Sequence, residues 1–332
     1  MYSKNNNIIF EPGKYTDLIK EYIKYLNAIG YKTGTSYQYY MRNICRQLNR
    51  LDSSADSVPC LTKELVEQIA MRRGNESSGT QMNRIGRLRK FAFFMLQKGY
   101  SAYIYPSVSI PKRDFNFKAY VFDRDQIRSI LKEADSIGYL PRSPKAELIY
   151  PAVLRILCCC GLRSSEVLML KRSDVDLDTG ILYIRKSKND ASRYVPVSES
   201  LRIYLSEYIQ KIMFQPNDIW MFPSPRGGYL SAVALGDMCK KLFRRAGIQV
   251  LATGRYPRVH DFRHSHITHA LDHMVNEKGM DVYTALPIIS AYVGHSGIMD
   301  TEYYIHLSSF HHEQITSAGE EILGCFGGGN VL

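Results

Sequence analysis

The stretch that decides the fold covers residues 260–306 and reads HDFRHSHITHALDHMVNEKGMDVYTALPIISAYVGHSGIMDTEYYIH. It places His260 three residues before Arg263, then gives a Gly-His pair that ends at His295, and then Tyr304, nine residues after that histidine. Residues three apart in a helix lie on one face, so His260 and Arg263 are expected to reach a common target. A phosphodiester suits both a group of cations and a phenol that attacks phosphorus. The stretch therefore predicts part of a site for phosphate chemistry.

The positive charge of the chain is unevenly spread. The 332 residues are enough for two domains with a core each, 45% of them are hydrophobic, and the net charge is +11. Residues 1–120 carry 19 Lys and Arg against 9 Asp and Glu, whereas 121–332 carry 24 against 23. A basic module beside a nearly neutral one predicts that the first binds a polyanion and the second acts on it, although a merely solvated basic surface would have the same composition.

The sequence contains no run of eighteen apolar residues, and its first residues, MYSKNNNIIFEPGK, lack the apolar core of a signal peptide. We therefore expect a cytoplasmic protein without a membrane partner. The seven cysteines include no CxxC pair. We accordingly expect neither a zinc ribbon nor a redox pair, and no cofactor.

All nine histidines lie between residues 260 and 312, which raises the question of a metal site. His260 and His264 have the i,i+4 spacing of a ligand pair. However, the HEXXH motif of zinc hydrolases is absent, and Arg263 beside the pair would repel a cation. We therefore expect no metal, and we interpret His264 and most of the other histidines as packing, capping or DNA-surface residues.

Apolar residues at 3–4 spacing predict four amphipathic helices near the start of the chain: 14–29, 35–51, one that follows Thr62 and stops near Gly74, and 78–98. Together they predict a helical bundle over residues 1–105. The segment PSVSIPKRDFNFKA that follows contains two prolines, three basic residues and no periodicity. This composition predicts a basic linker at 106–120.

Five basic residues are candidate DNA contacts, three on the fourth helix and two in the linker: Arg84, Arg87, Lys90, Lys112 and Arg113. Such residues could hold the phosphate backbone while the linker passes along the DNA and lets the protein close around a duplex. A solvated helix face would have the same sequence.

The remainder, 121–332, is predicted to be mainly helical with a small antiparallel sheet. An apolar helix at 145–160 ends at Gly161, and Arg163 follows this break. The runs VDLD, ILYIRK and RYVPV alternate with turn residues and predict three short strands, with Lys186 and Lys188 in the last hairpin. The other helices are predicted at 124–136, 199–212, 231–246, 258–274, 282–293, 298–306 and 309–322.

Five motifs occur in a recognisable order: GLRSSE at 161–166, a hairpin lysine before RYVP, HDFRHSH at 260–266, GHS at 294–296, and a tyrosine nine residues after the last histidine. This set resembles the active-site motifs of the tyrosine recombinase (phage integrase) family over about 121–315. The N-terminal bundle is similar to the core-binding domain of that family. The resemblance implies a mixed α+β catalytic domain at 121–332 after a four-helix core-binding domain.

The resemblance also implies six catalytic residues, matched motif by motif: Arg163, Lys188, His260, Arg263, His295 and Tyr304. Glu166 matches an acidic position that supports the first arginine. Lys186 is an alternative to Lys188, because a hairpin register is hard to fix from sequence. Tyr303 adjoins Tyr304, but neighbouring helical side chains diverge by about 100°, and the spacing favours Tyr304.

The expected chemistry needs no metal or ATP. Two arginines can hold the charge that develops on the non-bridging oxygens during attack on a phosphodiester. A tyrosine needs a proton acceptor because its ordinary pKa is about 10, and His260 is the candidate. By resemblance, Lys188 protonates the departing 5′ oxygen, while His295 would orient the phosphate by hydrogen bonding. The product is a 3′-phosphotyrosine, which another 5′ hydroxyl can reseal.

The sequence thus predicts a site-specific DNA recombinase, with the integrase of a mobile element as first choice and a chromosome- or plasmid-dimer resolvase as the alternative. The family implies a synaptic tetramer on double-stranded DNA with inverted half-sites, and an accessory directionality factor is a further candidate partner. Two hypotheses from other classes stay open: a type IB topoisomerase-like nicking enzyme and a non-catalytic DNA-binding protein.

Overall fold

The structure is a computed structural model that describes residues 8–52, 57–112, 119–185 and 192–294, together with 301 and 304. Contacts divide the chain into two units, Met1–Phe117 and Lys118–Leu332. The finer division into a bundle, a linker and a catalytic domain stays a prediction.

The first unit contains four helices, each with one buried apolar stripe: α1 (Thr16–Ala28), α2 (Thr35–Leu51), α3 (Lys63–Ala70) and α4 (Ser78–Gln97). Two of the helices begin at side-chain caps, because Thr62 accepts a hydrogen bond from the N–H of Leu65 and Ser77 accepts one from the N–H of Thr80. Aromatic rings from α1 and α4 fill the core, where Tyr22 packs on two phenylalanines at ring-centroid distances of 5.4 and 5.1 Å.

The second unit contains seven helices and three strands among its described residues. In chain order these are α5 (Arg124–Asp135), α6 (Ala146–Cys160), α7 (Ser164–Leu168), β1 (Val175–Asp176), β2 (Ile181–Ile184), β3 (Arg193–Pro196), α8 (Glu199–Lys211), α9 (Ala232–Arg245), α10 (Asp261–Asp272) and α11 (Val282–Val293). The strands form one antiparallel sheet in the order β1-β2-β3, with Ile184 opposite Arg193 at the base of the last hairpin.

Helix α6 is the centre of the second unit. It is apolar on most of its surface, and it packs against α5, α8 and α10. The core continues through Phe122, whose ring lies 4.9 Å from Phe262 and 5.3 Å from Phe243. Helix α6 ends at Gly161, which has a φ of +57°. A Cβ at Gly161 would lie 2.4 Å from the ring of His266, so glycine is required there for both reasons.

The prediction of a mainly helical chain with a small antiparallel sheet is confirmed. The helix predicted at 258–274 is shorter, since it begins at Asp261 and passes into one π-helical turn over His273–Glu277. The helices predicted at 298–306 and 309–322 lie outside the described residues, apart from residues 301 and 304. No helix in the described part of the chain is long and apolar enough to cross a membrane.

The core of the second unit is tested with Phe122→Ala. The substitution removes a fully buried ring between two others, so the free energy of unfolding of this unit should fall by about 3–5 kcal/mol, as measured by urea denaturation. Ile203→Ala is the control, because Ile203 is 51% exposed on α8 of the same unit and should change stability by no more than about 0.5 kcal/mol. Equal losses in the two variants would contradict the assignment of Phe122 to the core.

Candidate active site

Arg263 is the most deeply buried charged residue of the site. Helix α10 carries it, and only 1% of the residue is exposed. Its Nη1 donates to the carbonyl of Gly161 and its Nη2 to the carbonyl of Val293, both at 2.9 Å. Burial, reinforced by the positive charge of Arg163, lowers the pKa of the Arg263 guanidinium to about 10. The group therefore stays charged at neutral pH.

Arg163 lies between the end of α6 and the start of α7 and is bound to Glu166. Its Nη1 donates to Glu166 Oε1 at 2.9 Å, and its backbone N–H donates to Glu166 Oε2 at 3.0 Å. The Glu166 side chain thus satisfies the first N–H before α7, whereas neither Ser164 nor Ser165 caps this helix. The Nη2 of Arg163 donates to the carbonyl of Gly294 at 3.0 Å.

A third arginine, Arg193, joins these two, and the sequence does not predict it as a site residue. It is the first residue of β3. Its Nη1 and Nη2 donate to Oε1 and Oε2 of Glu166 at 3.1 and 3.0 Å, and its Nε donates to the carbonyl of Tyr292 at 3.0 Å. Burial raises the pKa of the Glu166 carboxyl, but the hydrogen bonds and charges of Arg193 and Arg163 outweigh this effect and leave the pKa below its ordinary value.

The three arginines meet at the C-terminal end of α11. Three successive carbonyl oxygens, those of residues 292, 293 and 294, each accept a hydrogen bond from a different guanidinium. The last carbonyls of a helix have no partner within the helix and carry the negative end of its dipole, so cations are favoured there. The helix ends at Gly294, where φ is +70° and a Cβ would lie 2.8 Å from Nη1 of Arg193. This end therefore fixes the relative positions of Arg163, Arg193 and Arg263.

Tyr304 lies against α10, and its hydroxyl is 2.8 Å from Nδ1 of His264. The residue is 3% exposed and packs with apolar residues of α10 and α11. Burial, together with the neighbouring ring of His260, lowers the pKa of His264 to about 4. His264 is therefore neutral at pH 7 and can accept the phenolic proton in a hydrogen bond. The sequence assigns His264 to packing, capping or the DNA surface; the residue is buried, and its hydrogen bond with Tyr304 is a contact that the sequence does not predict.

His260 immediately precedes α10, one turn before His264; part of the residue is exposed, but its ring packs edge to face against that of His264 at 4.8 Å. Burial and the charges of Arg263 and Arg258 lower the pKa of His260 below its ordinary value. The sequence predicts His260 as the acceptor of the Tyr304 proton, whereas the described hydrogen bond of that hydroxyl involves His264. The sequence did contain a signal for His264, because the i,i+4 spacing of the two histidines places both on one face of the helix.

Three predicted site residues, Lys188, His295 and Arg113, lie outside the described residues, as do the alternatives Lys186 and Tyr303.

The candidate DNA contacts of the first unit separate into surface residues and one buried residue. Arg87 lies over the ring of Tyr40 at 4.2 Å, Lys90 is exposed, and Lys112 is exposed. Arg84, in contrast, is 7% exposed, is paired with Glu76, and donates to the carbonyl of Met71 at 3.0 Å. The fold thus buries Arg84 against a carboxylate, whereas the other predicted contacts lie at the surface.

Comparison with known proteins supplies the family. The model of the phage integrase family matches residues 120–311. A putative integrase/recombinase y4rB from Sinorhizobium fredii is 28% identical, over 88% of this chain and 92% of that protein. A second protein of that organism, putative integrase/recombinase y4rE, is 33% identical, over 50% of this chain and 53% of that protein. The tyrosine recombinase XerD of Staphylococcus epidermidis is 24% identical, over 88% of this chain and 94% of that protein.

Solved structures show the same fold. An integrase of the transposon Tn1549, in complex with transposon right end DNA, has a TM-score of 0.64 at 16% identity, over 90% of this chain and 98% of that chain. XerH site-specific recombinase, bound to a palindromic difH substrate, has a TM-score of 0.61 at 19% identity, over 85% of this chain and 78% of that chain. Because the family model matches more than half of the sequence, the chain belongs to the phage integrase family of tyrosine recombinases, enzymes that cut and rejoin DNA at specific sites.

Proposed function

We propose that this recombinase cuts and rejoins duplex DNA through Tyr304 and serves as the integrase of a mobile element. One observation carries the assignment of the site: Arg163 and Arg263 are anchored on successive carbonyls of one helix end. Tyr304 packs against α10, which carries Arg263, and against α11, whose end anchors both arginines. The three side chains therefore suit attack by a phenol on a phosphate held by two arginines.

In the proposed reaction the Tyr304 oxygen bonds to phosphorus while the bond from phosphorus to the 5′ oxygen breaks. The two arginines hold the charge on the non-bridging oxygens, and Glu166 supports Arg163. We propose that His264 orients the phenol and that His260 takes its proton, because a histidine with a pKa of about 4 is a weak proton acceptor. The 5′ oxygen receives a proton, for which Lys188 is the proposed donor, and His295 is proposed to bind the phosphate.

Access to this site requires movement. Arg263 is 1% exposed and Tyr304 is 3% exposed, whereas the Arg163 side chain is 21% exposed. We infer that a phosphodiester meets Arg163 first and reaches the other two residues after the site rearranges.

The proposed partner is double-stranded DNA with inverted half-sites, bound in the cytoplasm by a synaptic tetramer, with an accessory directionality factor as a further candidate. Arg87, Lys90 and Lys112, with Arg113, are the proposed backbone contacts of the first unit. The relatives named integrase/recombinase and the transposon integrase favour the mobile-element role. The relative named tyrosine recombinase XerD matches nearly the whole chain under a name without the word integrase, so a dimer resolvase stays the second candidate.

The nucleophile is tested by covalent capture. Nicked duplexes are made from the genomic sequences that flank the gene, and protein–DNA adducts are detected on denaturing gels. The wild type should form an adduct, and Tyr303→Phe should also form one. Tyr304→Phe should form none, because it lacks the attacking oxygen. An adduct with Tyr304→Phe would contradict our assignment, and the absence of any wild-type adduct would favour a non-catalytic DNA-binding protein. Relaxation of supercoils without a preferred site would favour a topoisomerase.

The role of His260 is tested by the pH dependence of adduct formation at low duplex concentration, where the rate reports the pKa of the free enzyme. An acceptor must be neutral, and the pKa of His260 is lowered. The wild-type rate should therefore decrease at acid pH, with a midpoint below the ordinary histidine pKa of about 6.5. His260→Gln should lose this decrease and react about 10²–10⁴ times more slowly. An unchanged acid limb in His260→Gln would assign the acceptor to another group.

The DNA surface of the first unit is tested by the salt dependence of binding. The DNA-binding constant falls as salt rises, so a plot of its logarithm against the logarithm of the salt concentration has a negative slope. Arg87→Gln should make this slope less steep by about 0.9, since one phosphate contact is lost. Arg84→Gln is the matched control on the same helix, and it should leave the slope unchanged while lowering the melting temperature. If only Arg84→Gln made the slope less steep, Arg84 would be the phosphate contact and Arg87 would not.

A further inference from the structure

We propose that Arg193 is a positioning residue that keeps Arg163 available to the scissile phosphate by holding the charge of Glu166. This inference rests on the proposed function, because it concerns the same phosphate site. It assigns a role to the first residue of RYVP, which has no part in the chemistry proposed above.

The first support is the geometry of the pair. Arg193 meets Glu166 with both Nη atoms, each on a different carboxylate oxygen, at 3.1 and 3.0 Å. The side chains are 12% and 5% exposed. Two parallel, charge-assisted hydrogen bonds away from water form one of the strongest side-chain pairings available to a carboxylate. The guanidinium is fixed further by its bond from Nε to the carbonyl of Tyr292.

The second support is that Glu166 is shared between two arginines. Its Oε1 accepts from Arg193 and also from Nη1 of Arg163, at 2.9 Å. Arg163 thus uses one Nη for the carboxylate and the other for the carbonyl of Gly294. A guanidinium has five N–H donors, so others remain for a phosphate.

The consequence of losing Arg193 follows from the charges. Glu166 would keep its negative charge in a mostly buried position, with Arg163 as its remaining partner in the described cluster. A buried carboxylate without sufficient partners is costly, so Arg163 would turn its two Nη atoms to it. The charge that should attract the phosphate would then be neutralised by Glu166.

The position of Arg193 extends this role to the hairpin. Arg193 is paired with Ile184 at the last described rung between β2 and β3. Residues 186–191, which include the candidate Lys188, connect these two strands. Because the Arg193 guanidinium reaches the end of α11, it also fixes the base of this hairpin next to Arg163.

The experiment compares Arg193→Gln, Glu166→Gln, the double variant and the wild type on the nicked duplex that the wild type captures. Single-turnover rates at saturating protein are separated from the apparent affinity for the duplex. Arg193→Gln should lower the rate by about 10- to 100-fold, the range observed when a supporting partner of a site residue is removed. The double variant should react as fast as Glu166→Gln alone, because Arg193 is needed only while position 166 is charged.

Arg155→Gln is the matched control. Arg155 forms the same two-pronged pair, with Asp135, at 2.8 and 2.7 Å, and this pair lies on α5 and α6 away from the three-arginine cluster. It should leave the rate at the wild-type value. If Arg193→Gln fails to fold by circular dichroism, Arg193→Lys replaces it, since lysine keeps the charge but loses the fork and should show a smaller decrease that Glu166→Gln again removes.

The proposal is overturned if Arg193→Gln reacts as fast as the wild type, or if the double variant stays as slow as Arg193→Gln. If the wild type forms no adduct, the proposed function fails, and the inference is tested separately by titration with inorganic phosphate followed by ³¹P NMR. Arg193→Gln should then bind phosphate more weakly than the wild type, and the double variant should recover the affinity of Glu166→Gln. Equal affinities for wild type and Arg193→Gln would overturn it.

Discussion

The C-terminal end of α11 presents three carbonyl oxygens that the helix itself cannot satisfy, and guanidinium groups from three other parts of the second unit satisfy them. Arg163 comes from the turn after α6, Arg193 from the first position of β3, and Arg263 from α10. Each of these elements is therefore tied to the same point. The proposed phosphate site is assembled at this helix end, which holds the cations at fixed distances before any anion arrives.

Much of the fold follows from the sequence, because its signals are local. Periodic apolar residues predict the helices within a few residues, and alternating runs predict the sheet. The π-helical turn over His273–Glu277 could not be predicted in this way, since it depends on packing rather than on spacing. Arg84 shows a related limit: spacing places it in a basic row on α4, but its partner, Glu76, lies before the helix and is brought to it only by folding.

The site residues likewise separate into those that local motifs predict and those that only folding brings together. Arg163, Glu166 and Arg263 were predicted by motif, and the structure brings them together around α11. Their individual roles remain proposals, and Arg193 carries no chemical signal in the sequence beyond being a basic residue after a hairpin. The contact between His264 and Tyr304 spans forty residues, so spacing alone could not choose between His264 and His260, which share one face of α10.

Two glycines connect these observations to the way such a sequence can vary. Gly161 and Gly294 both adopt left-handed backbone conformations, and a methyl group on either would strike a side chain from another motif, His266 or Arg193. Each glycine thus allows two distant parts of the chain to pack closely. Exposed helix positions can change without such a conflict, whereas positions 161 and 294 are closed to other residues, because a substitution there meets a side chain from elsewhere in the chain and also strains the backbone.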